Sequence, residues 1–111
     1  MVAAAHPAVA LAGLRVLESG GNAVDAALAM APMAWLTLPG QSGVGGDTFA
    51  LLHGPDGTIT AFGEGGYGPD GGEPGFYRER GLRALPVDGP LAVAVPGAMG
   101  TVAALHRAAA T

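Results

Sequence analysis

The chain has 111 residues, enough for one modest core; half are hydrophobic, 13% are charged and mean hydropathy is +0.39, which excludes a disordered chain. Net charge is −4 and all five basic residues are Arg, so there is no basic patch to bind nucleic acid or an anionic membrane. The absence of Cys excludes disulfides and thiolate metal sites, and 5% aromatics leave a core built from Ala, Val and Leu.

Met1–Ala5 is apolar and reads as a short strand. His6-Pro7 then opens a helix, with Pro in the first turn, where its missing amide costs nothing. Leu11, Leu14 and Leu17 recur at helical spacing, and Arg15 and Glu18 fall on the other side, so this helix is half-buried and ends at Ser19-Gly20. Gly20–Ala27 (Gly-Gly-Asn-Ala-Val-Asp-Ala-Ala) reads as a joint between two helices. The glycines supply the left-handed conformation that ends the first, Asn22 accepts from the free amides of the second, and Asp25 bonds back to the Asn22 amide. The second helix runs from Ala23 to about Trp35. It has no polar stripe after Asp25, which predicts burial, and Pro32 is expected to kink it or end its regular part. The apolar run over 26–36 contains that proline and is shorter than the ~20 residues a bilayer requires.

Pro39–Asp47 is a glycine-dense loop. It is neither a dinucleotide fingerprint nor a phosphate loop, because the strand–loop–helix order and a Lys-Ser/Thr pair are both missing. Thr48–His53 and Thr58–Phe62 read as the two strands of an antiparallel hairpin, joined by the turn Gly54-Pro55-Asp56-Gly57. Gly63–Glu73, with six glycines in eleven residues, is loop; Pro74–Gly81 is a short helix and Leu82–Pro90 is irregular. Leu91–Val95 is an apolar strand stopped by Pro96-Gly97, and Ala98–Ala110 is the last helix. So many apolar positions with so few charges predict a piece of something larger, with apolar faces left uncovered.

Little in this chain has the spacing of chemistry. His6, His53 and His106 stand alone, so no metal is expected. Ser42 lacks the Gly-x-Ser-x-Gly context of a nucleophile elbow. Glu64, Asp70 and Glu73 read as a solvated face rather than an acid–base pair.

Taken together, the motifs resemble the start of the gamma-glutamyltranspeptidase family. They are Met1-Val2-Ala3-Ala4 with His6-Pro7; Ala12-Gly13-Leu14 and Leu17; the Gly20–Ala27 block; Gly43-Val44-Gly45-Gly46 with Phe49-Ala50-Leu51; and Val93-x-Val95-Pro96-Gly97 before a helix. The Gly20–Ala27 block is the most specific of them.

The resemblance implies an α+β fold, the amino-terminal part of the αββα sandwich of N-terminal-nucleophile hydrolases, with two leading helices packed on an antiparallel sheet. Residues 1–111 would be a partial domain, the amino-terminal portion of the large subunit. The family makes a precursor that cuts itself before a threonine; that threonine then attacks a gamma-glutamyl amide such as glutathione, with its own amine as base, and passes the acyl group to water or an amino acid. The partners implied are the remainder of the precursor, as the small subunit after cleavage, and a small-molecule amide; no cofactor, metal, nucleic acid or membrane is implied. No catalytic residue falls within this chain. Asp47-Thr48 is followed by Phe49 rather than by the Thr and His of a processing junction, so Thr48 is expected to be scaffold and the chain alone to hydrolyse nothing. Met1 matches an internal methionine of the family, which leaves the native start, any secretion signal, and the choice between a cytoplasmic and a periplasmic or secreted location open.

The substrate-binding candidates are Gly63, Glu64 and Tyr67. The family's transpeptidases carry an Asp-x-Arg-Glu stretch whose Arg grips the glutamyl α-carboxylate. Here it reads Ala61-Phe62-Gly63-Glu64, and glycine cannot supply a bidentate clamp. The resemblance therefore carries two alternatives to a gamma-glutamyl enzyme: an acylase or small-amide hydrolase on the same scaffold, and a non-catalytic scaffold relative.

Overall fold

A computed structural model describes all of residues 1–111. Its elements, in order, are α1 (Pro7–Glu18), α2 (Ala23–Thr37), β1 (Thr48–His53), β2 (Ile59–Glu64), α3 (Pro74–Glu79), a 3₁₀ turn (Pro90–Ala92) and α4 (Ala98–Ala109).

The joint forms as its residues dictate. Gly20 takes φ +95°, its N–H donates to the Leu17 carbonyl, and the Gly21 N–H reaches back to Val16, which together end α1 in a Schellman motif. Asn22 Oδ1 accepts from the Val24 and Asp25 amides at 2.7 and 3.0 Å, and the Asn22 amide donates to Asp25 Oδ2 at 2.8 Å, completing a capping box. At the other end of α1, His6 acts as N-cap, its Nδ1 accepting from the Ala8 amide at 3.2 Å. Close approach of α1 and α2 depends on Gly13, where a Cβ would stand 2.5 Å from Met30 Sδ. α2 continues through Pro32 to Thr37, so the proline does not end it, and the Thr37 hydroxyl donates to the Met33 carbonyl at 2.8 Å.

β1 and β2 pair antiparallel from Thr48↔Glu64 to His53↔Ile59. Gly57 adopts φ +85° in the connecting turn, and Asp56 accepts from both the amide and the hydroxyl of Thr58. The hairpin and its turn form where expected, but β2 runs on to Glu64, so Gly63 and Glu64, expected in the following loop, are strand residues paired with Phe49 and Thr48.

Two expected strands are absent. Met1–Ala5 has no regular structure, and in the 91–95 segment only Val95 pairs, in a single bridge to Tyr67, after a 3₁₀ turn that ends at Ala92. An apolar segment becomes a strand only where a partner supplies the ladder; Val95 finds one residue of it. The helical layer meets the sheet in a different way from the one expected. α4 lies against both strands and against α2, whereas α1 and α2 reach the hairpin only through it. α2 packs on α1 and α4 and makes no contact with the strands.

Only eight residues are buried, among them Val9, Val24, Ala26, Ala98, Thr101 and Leu105. The radius of gyration is 17.3 Å, against about 13 Å for a compact chain of this length, and the extents are 56 × 31 × 17 Å. Leu36, Phe49, Leu51, Ile59, Val87 and Val93 are among the large apolar side chains left exposed. The uncovered apolar faces predicted from composition are therefore present, and α2, expected to be buried all round, is buried only at Val24 and Ala26.

Candidate functional site

The open end of the hairpin, the glycine-rich loop and the first turn of α4 converge. Gly97, the N-cap of α4, has no side chain to cap with, so the helix is capped from outside: the Gly97 and Ala98 amides donate to the Gly46 carbonyl at 3.3 and 2.9 Å. This anchors the 39–47 loop. The next contact is Thr101, which is 1% exposed. Its hydroxyl accepts from the Glu64 amide at 2.9 Å and donates to the Thr48 carbonyl at 3.0 Å. One hydroxyl thus bridges the last pair of the β1–β2 ladder and ties it to α4.

The approach is too close for side chains. A Cβ on Gly97 would stand 2.6 Å from both the Glu64 carbonyl oxygen and the Gly66 nitrogen, backbone atoms that cannot step aside. Gly66, at φ +71°, lies against the Val95 carbonyl, and Gly100 lies against the Glu64 carboxylate. Tyr67 and Val95 then exchange two backbone bonds, at 2.9 and 3.3 Å.

The three expected binding residues are therefore divided. Glu64 lies on the α4 side of β2, with its carboxylate over the first turn of α4, where the helix dipole favours negative charge. Tyr67 is held by its backbone, with its side chain exposed. Gly63 faces the opposite side of the sheet, away from Glu64, because successive strand residues alternate. There it pairs with Phe49, whose ring covers it: Phe49 Cδ1 is 2.6 Å from where a Gly63 Cβ would be. Phe49, Ala50, Leu51, Ala61 and Phe62, drawn from both faces of the hairpin, line an open hollow of about 470 Å³. Thr48 opens β1 and offers its carbonyl to Thr101, which is a scaffold role. Sequence reasoning missed Thr101, Phe49, Gly97 and Gly100. Phe49 and Gly97 were legible only as members of the family motifs, and the small residues Gly97, Ala98, Gly100 and Thr101 after Pro96 are a composition that an ordinary helix start shares.

The other end of α4 is held by the joint. Asn22 Nδ2 donates to the Ala109 carbonyl at 2.6 Å, and Asp25 Oδ1 accepts from the Thr111 amide at 3.1 Å. The bond from the Thr111 hydroxyl, followed by those from the Asn22 and Thr111 amides, holds the Asp25 carboxyl below the usual carboxylate range. Asp56 is held low in the same way by the Thr58 hydroxyl and amide. No group of three or more His, Cys, Asp or Glu side chains is placed to hold a metal ion, and no helix is long and apolar enough to cross a membrane.

The gamma-glutamyltranspeptidase family model matches residues 9–110. The glutathione hydrolase proenzyme of Bacillus subtilis is 36% identical over 104 residues, covering 89% of this chain and 18% of that protein. The crystal structure of Helicobacter pylori gamma-glutamyltranspeptidase superposes with a TM-score of 0.90 at 30% identity, over 100% of this chain and 33% of that one. Cephalosporin acylase from Bacillus halodurans superposes at 0.88 with 34% identity, over 96% of this chain and 20% of that one. The chain thus spans about 18% of the length of the B. subtilis relative, and its helices and hairpin are those of the amino-terminal part of the N-terminal-nucleophile hydrolase fold. By the extent of the family match and by its architecture, the chain belongs to the gamma-glutamyltranspeptidase family.

Proposed function

We propose that residues 1–111 are the amino-terminal portion of the large subunit of an enzyme that cleaves gamma-glutamyl amides such as glutathione and transfers the acyl group to water or an amino acid. The attacking threonine lies outside this segment and is freed by self-cleavage of the precursor, so the partner of this chain is the small subunit of its own precursor. The reading rests on the family match over 9–110. The contribution of this chain is architectural: α4 carries the hairpin and fixes its open end, where Gly63, Glu64 and Tyr67 are the residues nearest to the substrate.

A specific observation favours a second reading, an acylase or small-amide hydrolase on the same scaffold. Gly63 stands at the position of the family's carboxylate-gripping Arg, and the Phe49 ring occupies the space its side chain would need. The test is amide hydrolysis by the matured full-length protein, followed as p-nitroaniline release from L-gamma-glutamyl-p-nitroanilide and from its α-carboxylate methyl ester. Turnover of either supports an enzyme of this class, and the 111-residue chain alone is expected to release nothing. Preference for the free carboxylate supports gamma-glutamyl recognition, and equal turnover supports the acylase reading. A matured protein that cleaves no amide would be a non-catalytic relative.

A further inference from the structure

Three of the five arginines, Arg78, Arg80 and Arg83, fall at the end of α3 and just beyond it. The helix closes in a Schellman motif. Gly81 takes φ +75°, its N–H donates to the Arg78 carbonyl at 2.9 Å, and the Leu82 N–H donates to the Tyr77 carbonyl at 3.0 Å. That reversal brings the segment after the helix back beside it and leaves an open hollow of about 290 Å³ between the two. Pro74, Tyr77, Leu82 and Leu85 give the hollow an apolar lining, and Arg78 and Arg83 line it as well. The same two arginines border a second, more open hollow, and no Asp or Glu lines either one.

Arg80 is employed differently. Its guanidinium lies 3.5 Å over the Phe76 ring, and its Nη1 donates to the Phe76 carbonyl at 2.9 Å, so it is used up within the helix. Arg78 and Arg83 are exposed and have no hydrogen-bonded partner in the chain. We propose that Arg78 and Arg83 form a binding site for an organic carboxylate with a ring or hydrocarbon body. The site lies away from Gly63, Glu64 and Tyr67 and is independent of the amide-hydrolase reading. The chain carries a net charge of −4, so its overall field repels anions and the attraction here is local to the two guanidinium groups. Each guanidinium presents a planar fork of donors that matches a carboxylate. The apolar lining gains by covering a hydrocarbon body. A bare inorganic anion gains only from the charges, and an uncharged ring only from the lining.

The experiment is titration calorimetry on the matured full-length protein, with benzoate as the probe. Benzyl alcohol supplies the ring without the charge, and inorganic phosphate the charge without the ring. Benzoate is expected to bind saturably and about tenfold or more tighter than either. Arg78→Gln and Arg83→Gln are each expected to weaken benzoate by about tenfold, the scale of one charge-assisted hydrogen-bonded pair. Arg80→Gln removes the same charge from the same segment and is expected to leave the affinity unchanged. All three positions are exposed, so the variants are expected to keep the wild-type melting temperature, which reports an intact fold. Absence of saturable benzoate binding, or binding that either Arg78→Gln or Arg83→Gln leaves intact, overturns the proposal. Equal weakening by Arg80→Gln also overturns it, since diffuse charge would then suffice. Phosphate or benzyl alcohol binding as tightly as benzoate does the same. None of these outcomes bears on amide turnover, which is read separately.

Discussion

The two ends of α4 are held by opposite means. Its carboxyl end is fastened by side chains: Asn22 and Asp25 reach across from the start of α2 to Ala109 and Thr111 while also capping their own helix. Its amino end is fastened mostly by backbone, through the Gly46 carbonyl, the contacts of Gly97 with Glu64 and Gly66, and one buried hydroxyl. A fastening made of side chains can loosen and re-form around a substitution. One made of backbone at contact distance can only stay or break, and it is this rigid end that meets the open end of the hairpin.

The comparison predicts a graded series. Gly97→Ala is expected to cost the most, about 3 kcal/mol, because the new methyl meets two backbone atoms that cannot move. Urea unfolding measures it, and a midpoint equal to wild type would show that this end yields after all. Thr101→Val comes next at about 2 kcal/mol, since it removes the hydroxyl shared by the Glu64 amide and the Thr48 carbonyl at a buried position. Amide hydrogen exchange at Glu64 is the sharper readout, and faster exchange there than at Thr60 would localise the damage. Asn22→Ala is expected to cost about 1 kcal/mol by loss of the cap. If it cost more than Gly97→Ala, the ranking of the two ends would reverse.

The smallest effect is one of pH. Hydrogen bonds hold the Asp25 carboxyl below its ordinary 3.8, so its contribution is complete above that value and is lost as pH falls through the lower, folded value. Wild type is therefore expected to exceed Asp25→Asn in melting temperature near neutral pH, with the gap narrowing in acid below about pH 4. A gap that stayed constant down to pH 2 would show that the carboxylate's charge has no part in the joint.

The two ends also differ in how far they could be read in advance. The capping box, the left-handed Gly20 and the Gly54–Gly57 turn follow from residues within a few positions of one another, and all three formed as expected. The long reach of Asn22 to Ala109 did not follow, because a cap looks the same whether or not its spare amide finds a distant carbonyl. Leu91–Val95 had a strand's composition and became a 3₁₀ turn and one bridge, since composition does not provide a neighbouring strand. Of the candidate site, the sequence showed only a Gly63 where the resemblance implies an Arg. The separation of Gly63 from Glu64 onto opposite faces was not legible, because both were read as loop whereas β2 runs on through them to Glu64. That Phe49 covers Gly63 was not legible either, because a cross-strand contact depends on register and rotamer.

The sequence by itself determined the helix boundaries near Gly20–Ala27, the hairpin and its turn, the family, and the excess of apolar surface. The helix boundaries and the hairpin depend on local backbone preference and periodicity, the apolar excess depends on composition, and the family depends on motifs matched along the chain. Only the tertiary structure decided that α4 is the element that joins α2 to the hairpin, with Thr101 and Gly97 at its rigid end. Those roles come from distances between segments 31 to 53 residues apart, which no local preference encodes.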